Sequence, residues 1–152
     1  MAGTPYGDGM GSVSVTSSGV VPASSTAVAE ALRDLPAQSD WFPGCVSAEV
    51  LAVDDEGLPA RARQVNDVKV AKDEFELVYE HTAQSMSWTL VAPSTAQKSA
   101  SGSWTWREVS GGTEVALVLT IEPAVPSPGF MAKKVLGDTA KNAVAGLRQY
   151  LQ

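Results

Sequence analysis

The chain has 152 residues, 44% of them hydrophobic and 18% charged, which suits a folded core that needs neither metal nor disulfide and excludes a disordered chain. A formal charge of −6 argues against binding nucleic-acid backbones, which takes a basic face, and against charge-driven docking on anionic lipid. The single cysteine, Cys45, excludes an intramolecular disulfide and a thiolate metal cluster, and no run approaches the ~20 apolar residues of a membrane span.

Met1 to Gly11 is rich in glycine and reads as a flexible tail. It lacks a basic stretch followed by an apolar run, so no secretory signal is expected, and a cytoplasmic protein with one domain over residues 12–152 is the consistent reading. Residues 12–21 alternate valine with serine and threonine, the period of a half-buried strand, and Pro22 stops it. Ser24 or Ser25 then caps a short helix, STAVAEALRDL, whose stripe is Val28, Ala31, Leu32 and Leu35. The broken segment PAQSDWFPG predicts a helical turn and a bend that sets Trp41 and Phe42 against something apolar.

Strand signals repeat from Cys45. Residues 45–54 form one strand, ended by the acidic turn Asp54-Asp55-Glu56-Gly57. Residues 60–70 form a more polar one, with Arg61 and Arg63 sharing a face. A hairpin turn is expected at Ala71-Lys72-Asp73, and Asp67 and Asp73 read as surface charges beside Lys69 and Lys72. Residues 74–82 place Phe75, Leu77, Tyr79 and His81 on one side. Residues 85–92 do the same for Met86, Trp88 and Leu90, and residues 97–108 for Trp104 and Trp106. Ser110-Gly111-Gly112 marks a further hairpin before the most apolar strand, residues 113–122. Three prolines carry the chain to a last helix, Gly129 to Gln152. Ser127 reads as its N-cap and Pro128 as its first residue, with Ala132, Leu136, Thr139, Ala140, Ala143, Leu147 and Tyr150 on one face. Hairpins between two helical parts make an α+β fold, a curved antiparallel sheet against one long helix.

That order, with the proline-rich entry to the last helix, resembles the helix-grip fold of the START and birch-pollen-allergen superfamily. The strings VPASSTAVAEALRDL, WFPG, DEFELVYE and GSWTWREVSGGTEVALVLTIEP are similar to the bacterial SRPBCC group of polyketide cyclase/dehydrase and lipid-transport proteins. The closing FMAKKVLGDTAKNAVAGLRQYL is similar to the final helix of its actinobacterial branch. The resemblance implies a cavity between sheet and helix for a hydrophobic or aromatic molecule.

The residues offer a wall for such a cavity. Phe75, Leu77, Tyr79, Trp88, Trp104 and Trp106 supply flat contact area, and Met86 and Met131 deformable lining. Gly102 and Gly146 are expected to leave room. Trp41 and Phe42 at the bend and Val135 on the helix complete the expected set. Among polar groups, His81 could act as acid or base and Arg63 could meet a ligand carboxylate or carbonyl; both also suit an exposed strand. Cys45 reads as an inert buried thiol. No cofactor or metal is expected: one histidine and one cysteine do not make the usual zinc site, and no phosphate-cradling glycine loop is present. Three functions stay open: a carrier of a lipid-like or polycyclic molecule, a polyketide aromatase or cyclase, and an assembly or stress module with a collapsed cavity. Either of the first two would work as a monomer or homodimer, without nucleic acid and without stable membrane insertion.

Overall fold

The computed structural model describes residues 11–68 and 71–152. Alternating side chains leave each strand one apolar face, which a second layer must cover. Strand β1 (Val13–Val21) is followed by helix α1 (Ser25–Arg33) and a 3-10 segment (Leu35–Asp40). Six strands come next: β2 (Cys45–Val53), β3 (Pro59–Asp67), β4 (Lys72–Thr82), β5 (Ser85–Leu90), β6 (Gln97–Val109) and β7 (Gly112–Pro123). Helix α2 (Gly129–Tyr150) closes the chain. The strands form one antiparallel sheet in the order β1-β7-β6-β5-β4-β3-β2, with α2 packed along β1 and β7. This is the α+β helix-grip architecture: a curved seven-stranded sheet and a long C-terminal helix. Register shifts in β2 and at Gln97/Ser99 of β6 add bends to it.

Local chemistry sets most boundaries. Ser24 caps α1, its Oγ accepting from the Ala27 N–H at 3.1 Å. At α2 the expectation fails in detail. Pro128 itself is the N-cap and no side chain caps the helix; the Met131 and Ala132 N–H groups donate to the Pro128 carbonyl. The β3–β4 turn also differs. Val68 N–H donates to Ala71 O at 3.0 Å and β4 begins at Lys72, so Asp73 falls inside the strand and not in a turn. Residues 1–10 of the expected tail, and residues 69–70 at the expected end of the third strand, lie outside the described residues.

The core fills one end of the space between sheet and helix. Ala140, Ala143, Val144 and Leu147 of α2 are buried, whereas Tyr150, expected on the same stripe, is exposed. Trp41 enters between the layers. Its ring meets Trp104 edge-on at 5.8 Å and Phe42 at 5.7 Å, and its backbone oxygen lies where a Cβ on Gly146 would be. Gly146 therefore does not open a cavity, as expected from sequence; it admits the backbone of the Trp41 bend.

Two helical glycines should thus respond with opposite signs. Gly146→Ala gains helix propensity of about 1 kcal/mol but forces Trp41 away, and overpacking of this kind costs about 1–3 kcal/mol, so its urea midpoint should fall. Gly137, whose Cβ would only touch Val15 at 3.9 Å, should raise the midpoint when replaced by alanine. Equal effects at both sites would contradict the packing described.

Candidate functional site

Beyond Trp41 the filling stops. Under the first half of α2 lies a cavity of about 580 Å³. Its apolar wall is Phe75, Leu77 and Tyr79 of β4, Trp88 of β5, Leu119 of β7 and Phe42 of the bend, with Val135, Leu136 and Thr139 of α2 on the other side. Antiparallel register brings the wall together: Tyr79 lies opposite Trp88, with ring centroids 6.1 Å apart, and Trp88 lies opposite Gly102. A Cβ at Gly102 would overlap the Trp88 indole. Gly102 is thus a seat for that ring, and the space it leaves is already taken.

Of the thirteen residues expected to line a ligand site, Phe42, Phe75, Leu77, Tyr79, Trp88 and Val135 line this cavity. Trp41, Met86, Trp104 and Trp106 face inward but are packed into the filled end; Met86 lies opposite Trp104, and both are at most 2% exposed. Arg63 is on the solvated face, paired with Glu49 at 3.3 Å and Glu74 at 3.5 Å, because β3 turns Ala62 and Gln64 inward and Arg61 and Arg63 outward. His81 stacks on Tyr79 but ends its strand outside the cavity. Its Nδ1 accepts from Arg33 Nε at 3.3 Å, so Nε2 carries the proton and donates to Pro59 O at 2.7 Å. Met131 stands 53% exposed on α2.

The sequence reading overlooked a polar end to the cavity. Asp73, expected at the surface, is 1% exposed and lines it. Its carboxylate accepts from Ser94 Oγ at 2.8 Å, Ala96 N–H at 3.1 Å and Gln97 Nε2 at 3.0 Å. Beside it runs a line of amides: Gln38 Nε2 donates to Gln64 Oε1 at 3.1 Å, and Gln64 Nε2 to Asn66 Oδ1 at 2.9 Å. Gln38 also meets the Cys45 Sγ at 3.7 Å. Burial pushes the Cys45 thiol up, with the Gln38 bond opposing, which keeps it a poor nucleophile.

Tyr79 is the ionisable group of the apolar wall. Burial, and secondarily the Cys45 sulfur, push its phenol well above the ordinary range. A raised folded value favours the neutral form, so this contribution to stability is complete below about pH 10, the ordinary tyrosine value, and is lost as pH rises beyond it. Tyr79→Phe should therefore flatten the decline of stability above about pH 10, read from urea midpoints at successive pH values. The same decline in both proteins would contradict this assignment.

Solved structures with this architecture include a START superfamily protein from Mycobacterium smegmatis, 21% identical with a TM-score of 0.81 over 93% of this chain and 97% of that one. The Zhui aromatase/cyclase from Streptomyces sp. R1128 is 16% identical, with a TM-score of 0.74 over 92% and 93% of the two chains. A STAR-related lipid transfer protein from Xanthomonas axonopodis is 18% identical, with a TM-score of 0.68 over 91% and 85%. A search of curated proteins finds no match. The family model described as polyketide cyclase / dehydrase and lipid transport matches residues 12–152. With nearly its whole length matched, the chain belongs to that family, and its sheet wrapped on a C-terminal helix is the fold of the START superfamily structure.

Proposed function

We propose that this protein binds and carries a hydrophobic small molecule, lipid-like or polycyclic, in the cavity between sheet and α2. The observation that carries this reading is the aromatic-walled cavity of about 580 Å³, within the range of about 300–1,000 Å³ that holds small ligands. Such a volume weighs against the collapsed-cavity module. The likeness to the Zhui aromatase/cyclase raises a second reading, ring closure of a polyketide. That chemistry needs an acid or base aimed at the ligand. His81 and Arg63 are engaged elsewhere, Tyr79 holds its proton tightly, and the Asp73 carboxylate is taken up by three donors from Ser94, Ala96 and Gln97, so the residues favour carriage. Among the described residues no helix is long and apolar enough to cross a membrane.

Native mass spectrometry of the purified protein, followed by extraction, should detect an apolar molecule in the cavity. The neutral fluorophore N-phenyl-1-naphthylamine supplies a second measure. Trp88→Ala removes cavity wall and should weaken its binding by about tenfold, or about 1.4 kcal/mol. Trp104→Ala instead empties the filled end. It should cost about 3–5 kcal/mol of stability, with uptake retained where the protein stays folded. A protein that takes up neither the probe nor any copurified molecule would contradict the proposal.

A further inference from the structure

We infer that the cavity selects the charge of its ligand: its Asp73 end receives a protonated amine, with the apolar body against Phe75 and Trp88, and a carboxylate is rejected. This rests on the binding role proposed above and adds the polar chemistry of the ligand.

Three observations converge on that end. Asp73 is almost wholly buried, and its three donors, from Ser94, Ala96 and Gln97, are all neutral. Among the described residues no lysine, arginine or histidine forms an ion pair with it, and none lines the cavity. A buried charge held only by neutral groups keeps part of its desolvation cost, which a ligand cation offsets.

The neighbouring amides are oriented to add acceptors. Gln97 must turn its NH2 toward the Asp73 carboxylate, which accepts only. Its carbonyl oxygen is then left without a partner among the described residues. Gln38 spends its NH2 on Gln64 and Cys45, so its oxygen is left likewise. Both side chains belong to residues more than nine-tenths buried, and both line the cavity. The Asn66 NH2, at the end of the amide line, is the opposing donor. An ammonium brings three donors and a positive charge to this end; a carboxylate brings acceptors and a like charge.

The experiment is displacement of bound N-phenyl-1-naphthylamine by decylamine, decanol and decanoate, which share one chain and differ at one end. Decylamine should displace the probe at a concentration about tenfold or more below decanoate, with decanol between them. Asp73→Asn, which keeps the shape and removes the charge, should bring amine and carboxylate to within about threefold of each other. If that variant fails to fold, Asn66→Lys decides. Asn66 is only half-buried, and a cation placed there should reverse the order in favour of decanoate. Decanoate matching or beating decylamine on the unaltered protein would overturn the inference. So would an unchanged ratio in every variant that folds. Failure of the probe to enter at all would instead strike the binding role itself, and this inference with it.

Discussion

The contact between the Trp41 bend and Gly146 governs what the rest of the fold can do. A glycine in the last turns of α2 lets the backbone of the bend come close, and the Trp41 ring is thereby held against Trp104. The close-packed end of the molecule is built on this three-way meeting of bend, helix and sheet, with Val144 and Leu147 buried beside it. It has a cost, since Trp41 Nε1 is buried without a hydrogen-bond partner among the described residues. What it secures is a helix anchored by its C-terminal half. The N-terminal half then crosses the sheet without filling the space beneath it, and that space is the cavity.

The strands divide their chemistry by face. Outside, Arg61 and Arg63 of β3 meet Glu76, Glu49 and Glu74 across the sheet, and Arg107 of β6 meets Glu114 of β7. These pairs are partly exposed and each contributes at most about 1 kcal/mol. Inside, the same strands carry aromatic residues at the middle and amides with one carboxylate at the β3–β4 turn. The cavity thus joins an apolar body to a polar end, the combination of walls and a few convergent polar groups common in small-molecule sites.

Much of the site was legible from parity alone. Phe75, Leu77 and Tyr79 alternate with glutamates, and Trp88 stands at the matching step on β5, so their shared face follows from the strand period. Asp73 has the same parity and was legible too. A hairpin drawn at Ala71–Asp73 hid it, since a charged residue beside a turn reads as solvated. Gln64 and Asn66 follow once Arg61 and Arg63 are assigned to water. Gln97 is different. Parity puts it with Ser99 and Ser101, away from Trp104, and the irregularity between Gln97 and Ser99 re-aims it inward. No local signal in QKSASGSW announces that bulge.

The amino-acid sequence by itself determined the order of elements, the faces of the strands, the long amphipathic helix and the family, because periods of two and of about 3.6 residues and a few local strings are properties of neighbours in the chain. Tertiary structure alone decided which inward aromatics become wall and which become filling. Trp88, Trp104 and Trp106 share one pattern in the sequence. The position at which α2 and the Trp41 bend cross the sheet separates the Trp88 indole, facing open space, from Trp104, packed on Trp41, while Trp106 is covered from the α1 side with the Arg33 guanidinium 5.2 Å from its ring. That crossing point depends on contacts between residues a hundred positions apart, such as Trp41 and Gly146, which no local period encodes.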